Sequence, residues 1–196
     1  MSDQNGWLKL LDANPNHSQW YIDRFRSMAE AGADLAGEAR MVDAMLPRGA
    51  RVLDAGCGTG RLGGYLADAG HDVVGVDLDP ALIAEAQRNH PGARWLAGDL
   101  SELDRPERFD LIVSAGNVMT FVAPSTRVEI LRRCGRHLAE GGRLVIGFGA
   151  GRGYPFDDFL ADAASAGLTS DLLLATWDLR PFTPEADFLV AVLRPA

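Results

Sequence analysis

The chain predicts a doubly wound α/β fold, a mostly parallel seven-stranded sheet closed by a C-terminal antiparallel hairpin. Three observations carry that expectation. Short apolar runs alternate with helical periodicity through the middle of the chain, the order that produces parallel strands with helices on both faces. A glycine-rich turn follows the first of these runs and opens a helix. The last two strand-like runs are joined by a link too short for a parallel crossover, so they must pair antiparallel.

In chain order, residues 1–15 read as polar and end on the turn signal Asn14-Pro15-Asn16. Trp20, Tyr21, Phe25 and Met28 fall at helical spacing and predict a helix over 17–31. Gly32 interrupts it, Asp34 is placed to cap a second helix reaching about Leu46, and Pro47 stops that one. Strands are expected at 51–55, 72–76, 94–97, 109–114 and 143–148, with helices near 60–69, 80–89, 124–139 and 156–166. Runs 170–179 and 187–193 form the closing hairpin. Residues 1–196 are thus expected to make one domain, with 1–46 as a helical lid region and 47–196 as the core.

An apolar fraction of 47% and a charged fraction of 23% are ordinary for a globular chain. No apolar run approaches the roughly 20 residues that span a bilayer. The first residues lack the basic head and apolar stretch of a signal peptide, so a cytoplasmic protein with no membrane partner is expected. Of 19 basic residues only Lys9 is lysine, a bias that suggests a GC-rich bacterial genome. Cys57 and Cys134 make neither a disulfide framework nor a zinc set, and no metal is expected. The net charge of -8 argues against nucleic acid, which calls for a basic patch. The nearest thing to one, Arg132-Arg133 with Arg136, shares its predicted helix with Glu129 and Glu140 and reads as a solvated face. A small neutral or cationic substrate fits the composition better, and a homodimer is allowed.

The chemistry is concentrated in Val52-Leu53-Asp54-Ala55-Gly56-Cys57-Gly58-Thr59-Gly60-Arg61. Glycines at alternate positions let backbone approach a ligand where any Cβ would collide, and the helix that follows offers free N–H groups. Such a crevice lies at the carboxyl end of a strand. A dinucleotide fingerprint would place its third glycine where Arg61 stands, which counts against NAD or FAD. Asp77 ends the second strand, where an acid accepts from a ribose diol; alternatively Asp77 or Asp79 caps the helix starting at Pro80. Asp99, after the third strand, suits an adenine amino group or a turn.

Residues 54–60 with Asp77, Asp99 and the closing hairpin resemble the class I S-adenosylmethionine-dependent methyltransferases, from about Glu38 to the end. The resemblance implies a Rossmann-like sheet in the order 3-2-1-4-5-7-6 with strand seven antiparallel. It implies Asp54, Gly56, Gly58 and Gly60 around the methionine portion of the cofactor, Asp77 and Leu78 at the ribose, and Asp99 and Leu100 at the adenine. Ala115 or Gly116 would flank the methionine portion and face the substrate, and residues 138–145 look like the family's turn into strand five. In small-molecule members an aromatic from the leading helix closes over the cofactor. Tyr21 is the candidate, its hydroxyl reaching the methionine carboxylate, or else it packs on an apolar helix face; Arg40 is the candidate countercharge.

The nucleic-acid amino methylases of this family carry an Asn/Asp-Pro-Pro-aromatic tetrad after strand four. Here Ala115-Gly116-Asn117-Val118 stands there, which argues against that substrate class. Cys57 inside the loop and Cys134 in mid-helix do not suit cysteine catalysis. Of the histidines only His17, in the lid region, is placed to approach a substrate; no catalytic base is assigned. The expected activity is methyl transfer from S-adenosylmethionine to a small-molecule acceptor by in-line displacement. A nicotinamide-dependent oxidoreductase and a non-catalytic S-adenosylmethionine-binding module are the alternatives.

Overall fold

The computed structural model describes residues 3–196. Three helices lead: α1 (Gly6–Ala13), α2 (His17–Glu30) and α3 (Gly37–Ala44). The alternating part follows as β1 (Arg51–Ala55), α4 (Arg61–Asp68), β2 (Asp72–Asp77), α5 (Pro80–Asn89), β3 (Arg94–Ala97) and β4 (Phe109–Ser114). The chain closes through α6 (Val118–Phe121), α7 (Arg127–Arg136), β5 (Leu138–Gly149), α8 (Phe156–Ser165), β6 (Leu168–Leu174) and β7 (Phe188–Pro195). The sheet order is β3-β2-β1-β4-β5-β7-β6, the order expected. Strands β1 to β5 pair in parallel, and β7 runs antiparallel to both neighbours.

Helices cover both faces of the sheet, which is why its strands read as continuous apolar runs rather than as alternation. Leu53, Val74, Ile112 and Leu144 stand in register on one face and pack under Ile130 and Leu131 of α7 and Phe159 of α8. Their sequence neighbours Val52, Val73, Leu111 and Val145 point to the other face, against Val42 of α3 and Leu62 and Leu66 of α4. Both layers are closed, and the carboxyl ends of β1 to β5 are left as the open rim. No helix among the described residues is long and apolar enough to cross a membrane.

Several boundaries differ from the sequence expectation. Residues 1–15 contain α1, capped by Asn5, whose side chain accepts from the Trp7 N–H at 2.8 Å and from Leu8. Asn5 followed by Trp7, Leu8 and Leu10 was the legible signal. Asp34 precedes α3 without capping it: the N-cap is Ala36, and the Asp34 carboxylate holds Arg40 instead. Helix α7 begins at Arg127 after a short 3-10 turn, and β5 already starts at Leu138, paired with Phe109 before the chain bulges at Gly141-Gly142. Strand β6 ends at Leu174, where the chain turns back with the Ala175 N–H donating to the Arg180 carbonyl at 2.8 Å, and Trp177 of that turn lies so close to β5 that a side chain on Gly147 would overlap its ring.

Candidate functional site

The rim at the strand ends and the first two helices enclose a cavity of about 420 Å³. Its floor is set by backbone geometry. The N–H groups of Gly56 and Cys57 both donate to the Val76 carbonyl, at 2.8 and 3.1 Å, which binds the glycine loop to the end of β2. The Gly58 N–H donates to Asp77 Oδ2 at 2.8 Å, and the Asp79 N–H to Asp77 Oδ1 at 2.9 Å. Asp77 faces the cavity beside Leu78. Burial pushes its carboxyl above the usual range, against the pull of these N–H donors. Asp99 and Leu100 line the next stretch of wall; Asp99 also accepts from the Ser101 N–H at 2.8 Å, so it is both a wall residue and the cap of a short turn.

The three loop glycines answer to different neighbours. At Gly58 (φ +54) an added Cβ would stand 3.5 Å from the Tyr21 hydroxyl, which shows how closely α2 approaches the loop. At Gly56 (φ +84) it would overlap Val118. Gly60 (φ +80) is off the cavity wall, and a Cβ there would meet Ala86 at 2.8 Å and the Trp95 ring at 2.9 Å. Gly60 is therefore a glycine for packing and for its left-handed backbone, not for ligand approach. Asp54 is likewise behind the wall. It is 2% exposed, accepts from the Gly63 N–H at 3.0 Å, and burial raises its carboxyl to about 7.

The cover is aromatic. Trp7 of α1 meets Tyr21 edge-on at 5.4 Å and Phe121 at 5.9 Å, while His17 stacks on Trp20 at 5.2 Å. Tyr21 and His17 are both on the wall. Burial raises the Tyr21 phenol further, so it is a neutral hydroxyl donor at physiological pH. Arg40 is a correction: its side chain is 52% exposed, held by Asp34 at 2.8 and 2.5 Å, and lies outside the cavity. The cation beside Tyr21 on the wall is Arg24, 5.7 Å from the Trp20 ring centroid.

Ala115, Gly116 and Asn117 form the wall after β4. Asn117 adopts φ +68, uncommon for a residue with a side chain. Its Oδ1 accepts from the Gly149 N–H at 2.8 Å, tying the β4 loop to the end of β5. Arg152, between the left-handed glycines Gly151 and Gly153, reaches the same wall. Trp7, Asn117 and Arg152 escaped the sequence reading because only the fold brings α1 and the loops after β4 and β5 together. The other histidines are occupied elsewhere: His71 faces Asp43 at 3.0 Å, His137 accepts from the Arg105 N–H at 2.9 Å, and His90 packs against Trp95. Among the described residues no cluster suits a metal ion.

These residues fit an adenosyl cofactor. A glycine whose side-chain space opens toward the cavity stands beside one buried carboxylate at the end of β2, and a second carboxylate caps the turn after β3. Matching the chain to known proteins agrees with that geometry. A family profile described as a methyltransferase domain matches residues 52–142. A crystal structure of a TehB-like SAM-dependent methyltransferase from Corynebacterium glutamicum shares 54% identity and a TM-score of 0.91, over 93% of this chain and 100% of that one. The chain belongs to the S-adenosylmethionine-dependent methyltransferases.

Curated relatives differ in what they modify. A demethylmenaquinone methyltransferase of Beutenbergia cavernae is 34% identical over 129 residues, 63% of this chain and 51% of that protein. An 18S rRNA (guanine-N(7))-methyltransferase of Bos taurus is 36% identical over 81 residues, 40% of this chain and 29% of that protein. The matched stretch thus spans about half or less of these curated relatives.

Proposed function

We propose that the chain transfers a methyl group from S-adenosylmethionine to a small-molecule acceptor, with residues 1–46 acting as a lid region on a core of 47–196. The observation that carries this reading is the single continuous cavity joining an acid-bearing floor to an aromatic cover. Its size falls in the range of small-molecule sites, roughly 300–1,000 Å³. Asp77 would take the ribose hydroxyls, Asp99 and Leu100 would hold the adenine, and Tyr21 with Arg24 would meet the methionine carboxylate. Trp7, His17, Asn117 and Arg152 are left to shape the acceptor end. That end carries arginine and no acid, so the net charge of the whole chain is a poor guide to the acceptor.

When bound, S-adenosylmethionine supplies a methyl group activated on a sulfonium, which an acceptor lone pair takes as the carbon–sulfur bond breaks. The residues of this chain supply placement. Orientation in a closed site is worth about 7–11 kcal/mol of barrier. The aromatic cover excludes water from the in-line approach. His17 is the one imidazole on the wall and the candidate to accept a proton from an acceptor that must lose one.

Titration calorimetry with S-adenosylmethionine, its demethylated product S-adenosylhomocysteine, and NADH tests the reading. Both sulfur ligands are expected to bind and NADH is not; the reverse pattern overturns it. Release of S-adenosylhomocysteine with any member of a panel of amines, thiols and phenols separates an enzyme from a non-catalytic binding module.

A further inference from the structure

Asp79 is 3% exposed, yet it does not line the cavity between floor and cover. One of its oxygens, Oδ1, accepts the Ala81 N–H at 2.8 Å and so caps α5. The other accepts the Trp7 indole N–H at 2.9 Å and the Ser18 hydroxyl, one donor from α1 and one from α2. The backbone N–H of the same residue donates to Asp77, whose second oxygen holds the Gly58 N–H. A capping acid needs only the first of these bonds. The other two reach across 72 and 61 residues of sequence to the helices that cover the cavity.

Two other polar ties join the cover to the rest of the chain, each with one solvated partner or two. The half-exposed Arg26 of α2 meets the buried carboxylate of Glu85 of α5 at 3.1 Å, a single donor from one helix, and Asp3 bonds Ser125 at the surface. The Asp3–Ser125 tie is solvated and contributes little to holding geometry, and Arg26 reaches Glu85 from the far half of α2, away from Ser18 at its start. Charge-assisted bonds to a buried carboxylate are stronger and geometrically stricter.

We propose that Asp79 is a positioning residue that couples the α1–α2 cover to the ribose-binding carboxylate Asp77, so that cofactor occupancy and closure of the cover reinforce each other. This rests on the methyltransferase reading of the cavity. A ligand that fixes Asp77 fixes the Asp79 backbone through its N–H, and with it the carboxylate on which Trp7 and Ser18 are hung. Binding linkage is reciprocal, so a cover detached from Asp79 weakens the cofactor by the factor with which the cofactor would have ordered the cover.

Ser18→Ala and Asp79→Asn test this. Ser18 is buried off the cavity wall and its loss leaves the cap, Asp77 and every wall residue in place, so it is the variant that isolates the tie. Amide hydrogen exchange is followed across residues 6–30 with and without S-adenosylhomocysteine, and affinity is measured by calorimetry. In the parent the ligand is expected to slow exchange in α1 and α2 at least tenfold. Both variants are expected to lose most of that slowing and to bind the ligand about tenfold more weakly. Ligand protection that persists in folded Ser18→Ala, with affinity within twofold of the parent, overturns the coupling while leaving the methyltransferase reading intact. A parent that binds no S-adenosylhomocysteine takes both down. Variants that only unfold at lower temperature, with protection unchanged at saturating ligand, assign Asp79 a structural role and also overturn the proposal.

Discussion

The floor and the cover of the cavity are built by different means. On the floor the contacts are backbone N–H groups and carbonyls at the ends of parallel strands, where Gly56, Cys57 and Gly58 are fixed by Val76 and Asp77. The cover holds together through ring edges and faces, Trp7 against Tyr21, His17 against Trp20, with few buried polar ties. Backbone hydrogen bonding permits little variation in geometry, whereas aromatic packing tolerates many substitutions of similar volume. A floor of this kind suits a ligand that never changes, and a cover of this kind suits one that differs from relative to relative.

The largest expected effect tests whether every acid of the floor serves a ligand. Burial raises Asp54 from 3.8 to about 7. A native carboxyl raised in this way binds its proton more tightly than the unfolded chain does. Its contribution to stability is complete below pH 3.8 and is lost as pH rises through about 7. Unfolding in urea at a series of pH values should show parent stability declining across that window by a few kcal/mol relative to Asp54→Asn, which keeps an acceptor for the Gly63 N–H. Equal pH slopes in the two proteins would show that Asp54 is not the buried acid described here.

Asp77→Ala comes next. Hydrogen bonds to a charged acceptor contribute roughly 1.5–3 kcal/mol each, so losing one should weaken S-adenosylmethionine and S-adenosylhomocysteine alike by about 10- to 150-fold. A folded variant that binds both within twofold by calorimetry would detach the floor from the cofactor.

The smallest effect sharpens the cover. Arg40→Ala should leave S-adenosylhomocysteine affinity within about twofold, since its pair with Asp34 is exposed and outside the cavity. Arg24→Ala, on the wall beside Tyr21, should weaken it several-fold. The opposite ranking in calorimetry would restore Arg40 as the countercharge.

Most of the fold and the polar floor were legible because their signals are local. Strand runs and the glycine loop are read from consecutive residues, Asp77 ends the strand run next in order after that loop, and the antiparallel end followed from the length of one link. The cover was legible only in part. Tyr21 and His17 stood out on a periodic helix, but Trp7 finds its partner Asp79 72 residues away, and Asn117 meets Gly149 only across two strands. Arg40 was misplaced because a charge at the right distance along the chain says nothing about the side of α3 on which it emerges. Net charge is no guide to the site, whose wall carries both acids, Asp77 and Asp99, and arginines, Arg24 and Arg152. Two of the loop glycines, Gly56 and Gly60, are explained by Val118 and Trp95, contacts that a motif read along the chain does not contain.

Trp95 carries a consequence for how this sequence can change over generations. Its ring leaves no room for a side chain on Gly75, and stands 2.9 Å from where one would begin on Gly60 or Gly63. Alanine at Gly63 or Gly75 is thus barred while the tryptophan remains, and a smaller residue at 95 opens a void that those alanines would then refill. The positions are epistatic, and the order of steps matters: the ring must go first. Gly60, held at φ +80, would stay glycine along either route. In an alignment, glycine on β2 and tryptophan on β3 should therefore vary as one character, retained or exchanged together whatever the acceptor.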